Sequence, residues 1–463
     1  MRHVVRVVAL IGVLVATHAL AQEEVITDIQ VRGAVRTEEQ TVRSIAGIHI
    51  GDPMHSDTLD TGRERLHTSG LFAEVNVYWE PHGIGVRVVI VVKEKFPWAP
   101  VPTFSYSPGD ISAGGVIAHG NLFGLGKRGL IGGRISTVNS GAVAVYEDPA
   151  VFGSWGFFTV KGKYQAQIIP EYANANTADM PLAPMRDTNL RTYGFELNAG
   201  VAWFRRVRTS VGWTLDQNNV LSSQPDSGNL IALGAVPPLP AATTFTRMRR
   251  GSASANLTFD FRAREGAIMY GNSLGFGFEY GAPRWGSQAN LWYWKAAASY
   301  EHGIRFFRWH NLIVRVGGVA GENLPLWSEN SAGGTNLRGY LYHQFQGDTH
   351  LSSQLEYHFP LFSLWGLDVR GLVFNDTAAI WWRQLPHEVD LGSGMVYEAR
   401  GDGRQFLPPE YLQPGFSASR DIHTSAGAGL RFYLRTVAMP LVGVDVGNGL
   451  GTKDIRVILV LGV

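Results

Sequence analysis

Past residue 95 the chain consists of short segments, about ten residues each, in which apolar and polar residues alternate between turn signals. This pattern constrains the fold more than any other feature. Ile131–Val138, Phe157–Gln165, Leu190–Trp203, Ser252–Phe261, Ser273–Tyr280, Trp292–Tyr300 and Leu312–Val319 are examples. A period of two sends successive side chains to opposite faces of a strand, so one face can be apolar and the other polar. Sixteen strands are expected, at 102–107, 111–118, 128–137, 141–147, 155–168, 189–203, 207–216, 247–260, 267–281, 289–302, 308–319, 349–358, 366–382, 421–434, 439–446 and 453–463. An even number lets an antiparallel barrel close. Connections alternate between short ones, such as Phe204-Arg205-Arg206, and long ones at 169–188, 217–246, 320–348 and 383–420. Short turns at one rim and long loops at the other are the pattern of a transmembrane β-barrel.

Composition agrees with this pattern. Charged residues make up 17% of the chain, against about a quarter in an average soluble domain. With 55 glycines and 11% aromatic residues, this suits an apolar side toward lipid and a polar side toward a lumen. A large soluble sandwich or propeller has a similar composition, and the segment pattern favours the barrel. Trp155, Trp203, Trp285, Trp309, Trp381 and Trp382 lie near segment ends, as interfacial girdles do. A formal charge of +1 gives no reason to expect a nucleic-acid partner. The absence of cysteine removes thiol catalysis, cysteine zinc sites and disulfides.

At the N-terminus, Arg2 and Arg6 precede the apolar run Val7–Ala16, and Ala19-Leu20-Ala21 supplies a small-residue cleavage site. Residues 1–21 read as a secretory signal peptide. No later stretch has about 18 uninterrupted apolar residues, so no further spanning helix is expected. Residues 22–95 read as a small α/β domain. Val25–Val31 is a strand, and Thr37 with Gln40 has the spacing of a capping box for a helix to about Ala46. Ser56 or Asp57 is placed to cap a second helix carrying Leu59, Arg63 and Leu66. Strands follow at Ala73–Trp79 and Ile84–Val92. Leu71 and Phe72, in Ser69-Gly70-Leu71-Phe72-Ala73-Glu74-Val75, are expected to pack in the core. The order is β-α-α-β-β.

Catalytic and cofactor motifs are missing. Gly124-Leu125-Gly126-Lys127-Arg128-Gly129 matches G-x-G-x-x-G, but it has strands on both sides instead of a strand and a helix, so it is a turn. The 14 histidines show no metal-ligand spacing, and there is no G-x-S-x-G elbow. Neither an enzyme, nor a cofactor, nor a metal site is expected.

The motifs that remain point elsewhere. The small domain, with its SGLFAEV junction, resembles a POTRA domain. Asn121-Leu122-Phe123-Gly124-Leu125-Gly126 resembles the NLFG-x-G signature, and Tyr146–Phe152 the Y-x-D-P-x-F turn, of the BamA/TamA-like bacterial surface antigen superfamily. Gly333-Gly334-Thr335-Asn336-Leu337-Arg338-Gly339-Tyr340 contains a phrase similar to that superfamily's (V/I/L)RG(F/Y) loop tip. The resemblance implies one periplasmic POTRA-like domain at 22–95 and an outer-membrane barrel at 96–463, with the loop 320–348 folded into the lumen. It further implies that carboxylates hold Arg338, with Glu356 and Asp376 as the candidates, provided both face inward. Gly333, Gly334 and Gly339 would permit the bends, Leu337 belongs to the tip, and Tyr340 would brace it.

The function so implied is insertion or translocation of client polypeptides at the outer membrane, the alternative being a dedicated exporter or pore. The partners implied are unfolded outer-membrane or secreted clients held on a POTRA edge strand, the lipid bilayer, and accessory periplasmic proteins. Pro102–Ser107 and Ile455–Val463 are expected to form a weakly paired seam, because proline cannot donate to a ladder. The single POTRA-like domain and the ending Gly462-Val463, where an aromatic residue is usual, depart from the family pattern.

Overall fold

The computed structural model describes residues 24–151, 155–172, 184–203, 206–235, 243–384, 388–390, 396–398, 413–434, 440–450, 452 and 455–461. The expected signal peptide lies outside them. Contacts divide the chain into two units. One runs through Trp98 and takes in His119–Arg128; the other is Ala99–Ala118 with Gly129–Val463.

The first unit contains β1 (Ile26–Arg32), α1 (Glu39–Ala46), α2 (Ser56–Thr68), β2 (Phe72–His82) and β3 (Gly85–Glu94). The sheet order is β1-β3-β2, with β3 parallel to β1 and antiparallel to β2. The central strand is the most apolar: Val86, Val88, Val89, Ile90 and Val92 are all buried. Val42 and Ala46 of α1, Leu59 and Leu66 of α2, and Phe72 complete this core, with Leu71 packed against it.

Both helix starts differ from the sequence expectation. The residue before α1 is Glu38, with no side-chain cap. The Glu94 carboxylate accepts instead from the N–H groups of Arg36 at 3.0 Å and Thr37 at 2.7 Å. The Thr37 hydroxyl accepts from the Asn121 amide at 2.8 Å, so it is not left to cap. His55 precedes α2, again without a side-chain cap; Ser56 and Asp57 lie inside its first turn, where Asp57 complements the helix dipole. The His119–Arg128 segment turns without forming a helix. The Gly126 N–H donates to Asn121 Oδ1 at 2.8 Å, and the Gly124 carbonyl accepts from Glu38 N–H at 3.0 Å.

Burial pushes the Glu94 carboxyl up, but the Thr37 hydroxyl and the Thr37 and Arg36 N–H groups outweigh it and hold its pKa below the ordinary value. A depressed carboxylate contributes stability that is present above its unfolded pKa and is lost as pH falls through the folded one. Glu94→Gln is therefore expected to cost about 1 kcal/mol near neutral pH and nothing in acid. Amide hydrogen exchange of α1 at both pH values checks this, and equal protection in variant and wild type at neutral pH would refute it.

Among the described residues sixteen antiparallel strands close a barrel. They are β4 (Trp98–Ser107), β5 (Asp110–Leu122), β6 (Lys127–Ser136), β7 (Asn139–Asp148), β8 (Gly156–Tyr172), β9 (Pro184–Trp203), β10 (Val207–Pro225), β11 (Thr243–Asp260), β12 (Ile268–Gly281), β13 (Tyr293–Phe306), β14 (His310–Glu322), β15 (Thr349–Leu364), β16 (Leu367–Trp381), β17 (Ile422–Leu434), β18 (Pro440–Gly449) and β19 (Ile455–Leu461). A short piece, Ala263–Glu265, continues β11 and pairs with the start of β12. Alternation separates the faces. On β16, Leu372, Phe374, Asp376, Ala378 and Ile380 are buried toward the lumen, while Val373 between them is exposed. No helix among the described residues is long and apolar enough to cross a membrane; the strands do the crossing.

Several strands outrun their expected ends at the long-loop rim. β10 was expected to stop at 216, yet Asn218–Pro225 keeps pairing with Arg186–Thr192 of β9. Polar residues occupy both sides of this extension, so the alternation that marks a half-apolar strand is lost there while the hydrogen-bonded ladder persists. The girdle reading fails for Trp382, which is buried, whereas Trp155, Trp203, Trp285 and Trp309 are exposed.

Candidate functional site

The connection from β14 to β15 forms the candidate site. It leaves β14 through a 3-10 turn at Leu326–Ser328 and makes a short hairpin in which Asn330–Ala332 pairs with Phe345–Gly347. Gly333 starts the tip, its N–H donating to Asn336 Oδ1 at 2.8 Å, and the Gly334 N–H donates to the Tyr340 carbonyl at 3.1 Å. Leu337 is fully buried in a cluster with Ala332, Tyr340, Phe345, Ala378 and Ile380. That cluster fixes the next residue, Arg338, against the inner faces of β15, β16 and β18.

Arg338 meets three carboxylates. Its Nε and Nη2 donate to Asp376 Oδ2 and Oδ1, both at 2.7 Å, as two parallel bonds. Nη1 reaches Glu356 Oε1 at 2.8 Å and Asp445 Oδ2 at 3.0 Å. The Arg338 backbone N–H adds a bond to Asp376 Oδ2 at 3.2 Å, and the guanidinium lies 3.5 Å from the Phe374 ring centroid. Planar donor geometry and aromatic stacking are both specific to arginine. One cation does not balance three anions, and two further arginines complete the set. Arg315 lies 3.2 Å from Glu356, and Arg431 lies 2.5 Å from Asp445. His358 Nε2 is 3.1 Å from the other Glu356 oxygen. Of these partners, sequence reading named Glu356 and Asp376 but missed Asp445. The signal was there: Asp445 is a lone acid inside the apolar alternating stretch Leu441–Val446.

The neighbouring tip residues are shaped by close approach to β18. Gly339 has φ +96°, and a Cβ there would meet the Gly449 nitrogen at 2.6 Å. Tyr340 stands over Gly449 and donates from its hydroxyl to the Thr424 carbonyl at 3.1 Å. Gly339→Val combines a left-handed backbone with a clash against main chain, each costing roughly 1–3 kcal/mol. It is expected to expel the tip, and protease cleavage at residues 333–344 should rise sharply over wild type; an unchanged cleavage pattern would contradict this packing.

The loop is also held on the opposite wall. Ser328 accepts at its hydroxyl from Arg250 Nη1 (2.8 Å) and at its carbonyl from Lys295 Nζ (2.9 Å). Arg250 itself sits 2.5 Å from buried Asp216, which also takes Lys163 at 3.2 Å. Gln346 Nε2 donates to the Pro170 carbonyl of β8 at 2.9 Å. The loop thus spans the lumen from β8, β11 and β13 to β15, β16 and β18.

Beside this wall the barrel closes between β19 and β4. β19 pairs with β4 through Leu459–Tyr106, Val460–Ser105 and Leu461–Phe104 among the described residues. By contrast, the β9–β10 ladder runs from Trp203–Val207 to Arg186–Pro225. The loop touches both sides of this seam. Arg338 and Tyr340 bond to β18 and the residue after it, and the Tyr342 N–H donates to the Pro108 carbonyl, just past β4, at 3.2 Å. Among the described residues no group of side chains could hold a metal ion.

Comparison with known proteins agrees with this fold. A family model described as the Omp85 superfamily domain matches residues 121–438, and one described as a surface antigen variable number repeat, the POTRA type, matches residues 24–95. A search of curated proteins finds no match. Among solved structures, BamA from Haemophilus ducreyi lacking POTRA domains 1–3 is similar at TM-score 0.64 and 15% identity, with 95% of this chain and 85% of that one covered. CdiB from Acinetobacter baumannii gives 0.57 at 13% identity, covering 95% and 74%. CdiB from Escherichia coli gives 0.57 at 14% identity, covering 95% and 76%. At these identities the structures speak for the fold, while the barrel-domain match spans well over half of the chain. The barrel is an outer-membrane barrel with its POTRA domain in the periplasm, and the chain belongs to the Omp85 superfamily.

Proposed function

We propose that the protein inserts or translocates client polypeptides at the outer membrane, without covalent chemistry. The observation that carries this reading is the buried Arg338 network beside the β19–β4 closure, which pairs at three positions among the described residues. Among the described residues this ladder pairs fewer positions than the β18–β19 ladder beside it, and the loop, bonded to β18 on one side and to Pro108 on the other, sets its geometry. In the POTRA domain, β2 lies at the sheet margin, where an extended client can add as a further strand through main-chain hydrogen bonds. Accessory periplasmic proteins would dock on the same domain. Glu356 and Asp376, with Asp445, serve in this reading as the anchors of the loop and not as catalytic acids.

The test is client folding. The purified protein is placed in liposomes, a denatured outer-membrane barrel is added, and protease-resistant product is followed against empty liposomes. Acceleration is expected. Absence of acceleration together with steady ion conductance would replace this reading with a pore, the alternative of another class; a loop spanning the lumen opposes free solute passage.

A further inference from the structure

Toward the rim of short turns the second unit carries an open cavity of about 790 Å³, built on β8 to β11 and apart from the Arg338 network. Thr159, Asn198, Arg206, Arg208, Asn256 and Arg262 are among its lining residues. Register places it inside the barrel. Arg208 shares the face of Asp216, which is buried in the lumen, since both are even positions on an unbroken stretch of β10. Asn256 lies opposite Ser210, and Asn198 opposite Gly212, on that same face.

The arginines are not equally engaged. Arg262 is committed to Asp260 at 2.7 Å and Glu301 at 3.3 Å. Arg208 comes no nearer than 4.0 Å to Glu147, and its guanidinium rests 4.3 Å from the Phe157 ring centroid. That of Arg206 lies 5.7 Å from the Phe261 ring. Aromatic faces orient these two guanidinium planes, while their N–H edges make no side-chain hydrogen bond among the described residues. The cavity also holds an acceptor in want of a donor: Asn198 Oδ1 is buried and has no partner.

A bare anion would satisfy the arginines and leave the Asn198 oxygen unmet. A polypeptide supplies both chemistries, with carboxylates for the guanidinium forks and N–H groups for the amide oxygen. A lipid headgroup is disfavoured because the lining side chains borne on the strands, Arg208, Asn198 and Asn256, face the lumen and not the outer wall. We infer that this chamber binds an acidic, extended polypeptide segment within the lumen. The inference rests on the reading that polypeptides are the cargo, and it gives that cargo a charge preference.

The test uses the full-length protein in detergent micelles and a fluorescein-labelled oligoglutamate peptide, followed by anisotropy. Oligoglutamate is expected to bind in preference to an oligolysine of equal length, and more weakly as salt rises. Binding should weaken roughly tenfold in the double variant Arg206→Gln/Arg208→Gln, each arginine supplying charge-assisted bonds. Arg208→Lys, which keeps the charge and loses the fork, should fall between. Neither arginine touches the Arg338 network, so heat-modifiable gel mobility should stay that of wild type. Equal affinity for oligolysine, equal affinity in the double variant, or full displacement by equimolar inorganic phosphate would each overturn the inference. Client folding in liposomes, run on the same preparations, keeps the two readings apart. Peptide binding without client folding upholds the chamber and removes the insertion reading. Client folding without peptide binding does the reverse.

Discussion

Arg338→Ala is expected to lower the stability of the barrel by about 3–5 kcal/mol, the cost of removing one partner from a buried charge pair. The argument is one of balance. Asp376, Glu356 and Asp445 are all buried, and Asp376 is fully so. Arg315 and Arg431 remain in the variant, but they reach Glu356 and Asp445. Asp376 loses both parallel guanidinium donors in one step and keeps, of the donors on residue 338, the backbone N–H alone. Arg338→Lys restores a charge without the planar fork and is expected to recover only part of the loss. Urea unfolding in micelles, read by heat-modifiable gel mobility, measures both variants. A wild-type midpoint for the alanine variant would mean that the network is decoration.

The second large effect concerns the seam. The chain contains no cysteine, so Ser105→Cys with Val460→Cys introduces a single defined pair at directly opposed positions. Opposed residues on antiparallel strands bring their Cβ atoms about 4.5–5.5 Å apart, near disulfide reach. Under oxidant the crosslinked protein is expected to fold clients no faster than empty liposomes, with activity regained on reduction. A matched pair within the long β9–β10 ladder, Val201→Cys with Thr209→Cys, should leave activity alone. Full activity in the locked seam would retire the part of the mechanism that requires opening.

Much of this is legible in the sequence. The strands were legible because lipid on one side and water on the other impose a period of two, and glycine-rich or proline-bearing turns interrupt it. Where that asymmetry ends, legibility ended too, as in the polar upper half of β10. The start of α1 departs from the local pattern because distant residues take the groups at Thr37: Glu94 accepts from the Arg36 and Thr37 N–H groups, and Asn121 donates to the Thr37 hydroxyl. Likewise, the grouping of His119–Arg128 with the first unit depends on Thr37–Asn121 and Glu38–Gly124 bonds that no local pattern announces. Around the loop, Glu356 and Asp376 were suggested by family-like phrases. Asp445, the Ser328 anchors and the chamber at Arg206 and Arg208 lacked such phrases, and each emerges only when strand register shows which residues share an inner face.

The loop that runs from Ser328 on one inner wall to Arg338 on the other has a mechanical consequence. An unbraced hoop of strands ovalises freely, since every ladder can flex a little and none need break. A spoke fixed at both ends removes that mode: wall-to-wall distance cannot change without tearing ionic bonds at one foot. On the proposed reading, deformation of the ring is channelled to the β19–β4 closure, and the spoke's Arg338 foot stands beside it. In that reading the brace that stiffens the hoop also decides where it yields.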